Sequence, residues 1–231
     1  MLIDLNCDLG EGAGTDAELL PLITSANICC GAHAGNTESI LATLEHAAKH
    51  GVAIGAHPGH PDRVYFGRRE LPTPPRDVLE ETIRQIDFLR ALAEKFGQKL
   101  RYVKPHGGLY HQANLDDAFA ETLVAVCEWA SLPVIGLPGS RLEHRARGRV
   151  SFFAEGFADR SYRADGSLVP RDQRGAFIES PREAAQQVMK LISERGVRTI
   201  CVHGDNPQAV EFVRAVREEL LRAGTELRAF A

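Results

Sequence analysis

Short apolar or β-branched runs alternate along this chain with longer stretches of helical period. The runs fall at residues 2–6, 26–30, 52–56, 101–104, 133–137, 151–154 and 199–203, and a last short one lies at 226–230. Between them, residues 36–50 read as a helix capped by Asn36 or Thr37 and stopped by Gly51. Leu79, Ile83, Ile86, Leu89 and Leu92 recur every three or four residues, with Gly97 as the stop. Residues 115–130, 181–195 and 207–223 repeat that grammar. Seven or eight strand–helix units without a break in composition predict one α/β domain over residues 1–231, a (β/α) barrel of seven or eight parallel strands. An open doubly wound sheet is the second expectation, weakened by the lack of a GxGxxG string. The polar, glycine-bearing segment 157–178 predicts a functional loop or an interface arm.

Composition narrows the partners. Hydrophobic residues at 44% and charged residues at 25% are ordinary globular values, and a net charge of −4 offers no basic field for a nucleic-acid backbone. No apolar run reaches the roughly 20 residues of a membrane span, and the first residues lack a basic, then apolar, leader. A cytoplasmic protein is expected. Its five cysteines, Cys7, Cys29, Cys30, Cys127 and Cys201, are odd in number and form no CxxC pair, so reduced, buried thiols are expected rather than nucleophiles.

Polar residues gather where each predicted strand runs into its loop, which in a (β/α) barrel is the active-site end. After the first strand come Asp4, Asn6, Asp8 and Glu11; after the second, Asn27 and His33; after the third, His57 and His60. Later strands bring Lys104 and His106, then Glu155 and Arg160, then His203 and Asp205. Period two puts Asp4, Asn6 and Asp8 on one strand face, as it does Lys104 with His106 and His203 with Asp205. Inside a barrel that face is the lumen, where a charge is paired or functional. Asp4 is equally suited to hydrogen-bonding a neighbouring strand end. Asp8 and Glu11 suit paired acid–base work. Lys104 suits gripping an anion or balancing the acids of the first strand. His57 and His60 have the spacing of a metal pair, but HxxH in a loop is weak and His60 is expected to be exposed. His46, His50 and His144 read as surface groups, and Gly31, Gly35, Gly107 and Gly108 as turns or points of close approach. No GxSxG elbow, GxxxxGK[ST] phosphate loop or HExxH string is present.

Taken in order, DLNCDLGEG at 4–12, SANICCGAHAGN at 25–36, GVAIGAHPGHPD at 51–62, FGRR at 66–69, VKPHGGLY at 103–110, EGFADRSY at 155–162, LVPRDQRGA at 168–176 and CVHGDNPQAV at 201–210 resemble the LamB/YcsF family, whose members include one subunit of bacterial 5-oxoprolinase. The resemblance implies a barrel related to metal-dependent polysaccharide deacetylases. It also implies ATP-coupled opening of 5-oxo-L-proline, a small lactam, to L-glutamate together with separate B and C subunits. ATP and its Mg²⁺ would be used by the complex, since this chain has no phosphate loop of its own; a divalent ion bound by this chain is left open. Within that reading Asp8 or Glu11 is the general base, and His57, His106 or His203 the proton donor to the leaving nitrogen. Lys104 and Arg160 hold the substrate carboxylate or a phosphoryl group, and Asn6 and Asn27 orient water or substrate. His33, Glu155 and Asp205 complete the expected substrate-binding set. Two alternatives remain: a stand-alone metal-dependent deacetylase using Asp8 with His33, His57 or His106, and a non-catalytic lactam-binding partner.

Overall fold

Alternation along the first strand accounts for most of the architecture. In the computed structural model, which describes residues 1–230, β1 (Leu2–Leu9) sends Ile3, Leu5, Cys7 and Leu9 outward into the apolar layer beneath the helices. Asp4, Asn6 and Asp8 point the other way, into the lumen, where they meet side chains of other strands. The next strands are β2 (Ser25–Cys29), β3 (Ala53–His57), β4 (Leu100–Val103), β5 (Val134–Gly136), β6 (Phe152–Phe157) and β7 (Thr199–His203). Each pairs in parallel with its successor, and β7 pairs with β1, closing a seven-stranded barrel. A two-residue β8 (Glu226–Leu227) pairs only with Leu2 and Ile3 at the start of β1. The expected (β/α) barrel is therefore the fold, with seven strands in the closed wall and the eighth outside it.

The helices are α1 (Asp16–Leu19), α2 (Thr37–His50), α3 (Pro75–Glu94), α4 (Gly107–Leu115), α5 (Asp117–Ala130), α6 (Arg141–Ala146), α7 (Pro181–Arg195) and α8 (Ala209–Arg222). Local chemistry sets several ends. Asn36 and Ser39 form a reciprocal capping box at the start of α2, and Gly51 ends it in the left-handed region. Ser180 caps α7, Pro181 occupies its first turn and Gly196 stops it. The helix expected over 115–130 begins earlier and is interrupted: α4 runs to Leu115, then Asp116 accepts from the Ala118 and Phe119 amides and starts α5. Neither α1 nor α6 is legible from periodicity, because four and six residues are too few to show it. No helix among the described residues is long and apolar enough to cross a membrane.

The lower end of the lumen is stopped by aromatic rings. Tyr102 and Phe153 pack on Phe230, with centroids 5.1 and 4.1 Å away. Gly55 faces the Tyr102 ring so closely that a Cβ there would lie 2.1 Å from it. Just above, the fully buried Asp4 carboxylate accepts from Thr24 Oγ1 at 2.6 Å, Ser25 Oγ at 2.8 Å and Thr199 Oγ1. Asp4 thus takes the structural one of its two roles. Burial raises its pKa to about 6 against the pull of those hydroxyls. The sign follows: this group's contribution to stability is full below about pH 4, its unfolded value, and is lost as pH rises through 6. Asp4→Asn removes that loss. Chemical denaturation of both proteins should show the stability difference moving in the variant's favour by about 2–3 kcal/mol between pH 4 and pH 7.

Candidate active site

Above Asp4 the lumen is filled by a continuous polar network. Asn6 Nδ2 donates to Thr199 Oγ1 at 2.6 Å and Glu155 Oε1 at 3.2 Å. Asn27 Nδ2 donates to Asn6 Oδ1 at 2.6 Å and Asp8 Oδ1 at 2.7 Å. The Lys104 ammonium, 1% exposed, lies 2.9 Å from Asp8 Oδ1, 2.8 Å from Glu155 Oε1 and 3.1 Å from Cys201 Sγ. Of the two roles read for Lys104, balancing the lumen acids is the one this geometry carries. Burial alone would discharge the amine, but Asp8, Cys201 and Glu155 hold its pKa well above the usual lysine range. Burial would likewise raise Asp8, yet the charges of His57 and Lys104 hold its carboxyl well below the ordinary value.

Four side chains converge on the next level. Glu11 Oε1 lies 3.1 Å from His33 Nε2, 3.4 Å from His106 Nδ1 and 3.8 Å from His57 Nε2. His57 Nε2 is also 3.5 Å from Asp8 Oδ2 and 3.0 Å from His106 Nδ1. Loops bring these together across long stretches of sequence. Gly35 has φ +61°, and a Cβ there would lie 2.1 Å from the Gly10 carbonyl oxygen. That close approach seats the His33 loop against Glu11. Arg63 pins the same loop by donating to the Gly31 and Gly35 carbonyls at 2.7 and 2.6 Å.

The outer nitrogens of two imidazoles fix their tautomers. His57 Nδ1 lies 2.7 Å from the Lys104 carbonyl and His106 Nε2 lies 2.8 Å from the Phe66 carbonyl. A carbonyl oxygen only accepts, so those nitrogens carry the protons. In the neutral rings, His57 Nε2 and His106 Nδ1 then face each other with lone pairs at 3.0 Å. Such a pair calls for a proton or a cation between its members. Burial, and then neighbouring imidazole charge, hold His33 and His106 well below the ordinary histidine value. Burial, reinforced by Asp8 and Asp205, raises Glu11 well above the ordinary carboxyl value. The two neighbouring acids are thus pushed in opposite directions, the division of labour acid–base sites require.

Glu11, His33, His57 and His106 each offer one ligand atom, all within 4.8 Å of one another. A tetrahedral ion with bonds of about 2.0–2.2 Å spaces its ligand atoms about 3.3–3.6 Å apart. The measured separations bracket that value, and two of the imidazoles are already oriented by carbonyls as metal-binding histidines are. His33 Nδ1 is buried without a partner. The donor set therefore fits a divalent ion.

Other expected site residues lie apart from this cluster. His203 Nδ1 bonds Asp159 at 2.9 and 3.0 Å and its ring stacks on Phe157, forming a separate acid–imidazole pair. Asp205 is paired with Arg68 at the mouth. Arg160 donates to the Ala176 and Val169 carbonyls at 3.2 and 2.6 Å, so much of its fork ties down the 157–178 loop. His60 is a correction: it is 3% exposed, bonded to Gln112 and edge-on to Phe119, in place of the exposed position expected. His50 and His144 are exposed and His46 is half-buried. All five cysteines are free and buried, and burial raises each thiol, Cys29 to about 12. They match the inert thiols expected. Asp159, Arg68 and Arg171 escape the sequence reading, although Asp159 stands beside Arg160 in the same EGFADR string.

The model of the LamB/YcsF family matches residues 3–231. The A subunit of 5-oxoprolinase from Tolumonas auensis is 41% identical over 98% of both chains. The crystal structure of a lactam utilization protein from Thermus thermophilus superposes with a TM-score of 0.92 at 40% identity, covering 100% of each chain. A peptidoglycan deacetylase from Bacillus subtilis superposes at 0.56 with 14% identity, covering 99% of this chain and 87% of that one. That likeness is one of fold, and it agrees with the expected relation to deacetylase barrels.

Proposed function

The chain belongs to the LamB/YcsF family, and on that premise we propose that it is the A subunit of a cytoplasmic 5-oxoprolinase, opening 5-oxo-L-proline to L-glutamate with ATP and separate B and C subunits. A five-membered lactam is a stable amide, and phosphorylating its oxygen makes the carbonyl carbon more electrophilic. With no phosphate loop in this sequence, that activation falls to the partners, and the barrel completes the hydrolysis.

The observation that carries the chemistry is His57 set between two acids of opposite disposition, Asp8 at 3.5 Å and Glu11 at 3.8 Å. In the form whose ring is neutral, His57 Nε2 takes a proton from water as the oxygen adds to the activated carbon. The ionised Asp8 stabilises the imidazolium, and the new proton joins His57 to His106 Nδ1. The C–N bond then breaks as Glu11, in its acid form, delivers a proton to the ring nitrogen, leaving γ-glutamyl phosphate, from which a second water releases phosphate to give glutamate. Lys104 and Glu155 hold Asp8 in place, while Asn6 and Asn27 fix the floor of the pocket.

A second reading rests on the facing lone pairs of His57 and His106. In it Glu11, His33, His57 and His106 would hold a divalent ion, which would supply Lewis acidity to a carbonyl or to water. One assay separates the two. This chain is mixed with B and C subunits, 5-oxo-L-proline, Mg²⁺ and ATP, and glutamate and phosphate are measured with each component omitted in turn. Glutamate only in the full mixture is expected; glutamate without this chain refutes the catalytic assignment. Repeating the assay with this chain pre-treated with chelator and then desalted distinguishes the imidazole scheme, which survives, from the ion, whose loss is reversed by adding Zn²⁺ or Mn²⁺.

A further inference from the structure

The mouth of the barrel holds more positive charge than its own carboxylates engage. Arg68 lies 4.7 Å over the Phe66 ring and pairs with Asp205. Arg160 and Arg171 both pack on Phe177, their guanidinium carbons 5.1 and 5.3 Å from its centre. Arg160 is partly committed to the carbonyls of its own loop. Arg171 differs: among the described residues it makes no hydrogen bond and no ion pair, although it is only partly exposed. The Arg68 Nε atom is likewise buried without a partner. Arg171 shares the Phe177 ring with Arg160, whose neighbour Asp159 bonds His203 at the end of β7, which sets it at the mouth of the barrel. Burial and the Arg68 charge both act against its ionised form, so an anion seated there would relieve a real cost. Lys104 cannot serve that purpose, because two carboxylates and a thiol surround its amine.

We infer that Arg171, with Arg68 beside it, is the oxyanion-binding element of this site and grips the substrate's carboxylate. The inference rests on the lactam reading given above and names the residue that selects an acidic lactam over a neutral one. An arginine fork is suited to the task because it meets a carboxylate with two parallel N–H donors. A phosphoryl group on the activated substrate presents the same oxyanion chemistry, so the test separates the two sources.

Isothermal titration calorimetry on the full chain, wild type and Arg171→Gln, would use three ligands: 5-oxo-L-proline, the carboxylate-free 2-pyrrolidinone, and inorganic phosphate. The expected result is at least about tenfold weaker binding of 5-oxo-L-proline by the variant, with 2-pyrrolidinone unaffected. If wild type holds phosphate but not 5-oxo-L-proline, and the variant loses it, Arg171 is an oxyanion residue for a phosphoryl group, and the carboxylate assignment fails while the lactam reading stands. Equal affinities in both proteins, an equal loss for 2-pyrrolidinone, or no anion binding by wild type would overturn the inference. Arg171 has no polar partner to lose, so the variant is expected to melt like wild type. Arg171→Lys is the second variant: it keeps the charge, loses the fork, and should bind 5-oxo-L-proline more weakly than wild type; equal affinity counts against the fork.

Discussion

Replacing Asp8 by asparagine is expected to lower ring-opening turnover by about 10²–10⁴-fold while leaving the barrel folded. The amide is nearly isosteric. Its oxygen still accepts from Asn27 and Lys104, which now meet Asp8 Oδ1 at 2.7 and 2.9 Å. Its nitrogen replaces Oδ2, the atom 3.5 Å from His57 Nε2. There it presents donor hydrogens to the ring where the carboxylate presented negative charge. The imidazolium formed during reaction loses its counterion, and the amide competes for the lone pair that should take the water proton. The loss should therefore appear in kcat with a smaller change in KM, because the interaction is made in the transition state. Steady-state glutamate formation, with circular dichroism to verify folding, checks it. Unchanged turnover would remove Asp8 from the mechanism.

Lys104→Met is expected to give the largest loss of stability among single changes in the lumen. The variant keeps the aliphatic stem and removes the one ammonium that faces both Asp8 and Glu155. Taking one partner from a buried ion pair leaves an uncompensated charge and costs about 3–5 kcal/mol. For a chain of this size that is a fall of roughly 10 °C or more in the melting temperature. Adding Glu155→Gln to Lys104→Met should restore part of the loss, since one of the two stranded carboxylates is then neutral. Thermal melts of the single and double variants measure that coupling. A double variant no more stable than the single would show that Lys104 acts through packing and not through charge.

The parts of this molecule legible in the sequence are those governed by short-range periodicity. The alternation of β1 assigns Asp4, Asn6 and Asp8 to the lumen because a two-residue repeat admits one arrangement once the apolar face is known. The cap at Asn36 and the stop at Gly51 delimit α2 for the same reason: their partners lie within four residues. Contacts between distant residues are harder to read. His60 looks exposed in the sequence because its partner, Gln112, lies 52 positions away on α4, a helix that itself starts on two glycines and shows little amphipathic pattern. Glu11 and His33 each stand out as polar residues at a strand end, yet nothing local says that they touch; the approach of Gly35 to Gly10 decides that. Arg160 draws attention ahead of Arg171 because it adjoins a strand end. Which of two loop arginines is occupied by backbone carbonyls depends on how residues 157–178 fold back, through the bridges Arg160–Phe177 and Tyr162–Leu168.

The rings of Tyr102, Phe153 and Phe230 that stop the lower lumen make this barrel a vessel with a single doorway. With that end stopped, the mouth beside the Arg68–Asp205 pair is the way by which a substrate would arrive and its product depart. A protein resting on that rim becomes the lid of the vessel. An activated lactam made in such a lid would reach the imidazoles without crossing bulk water, and the opened product would wait inside until the lid lifts. Turnover in the assembled enzyme would then follow the rhythm of that contact as much as the chemistry beneath it.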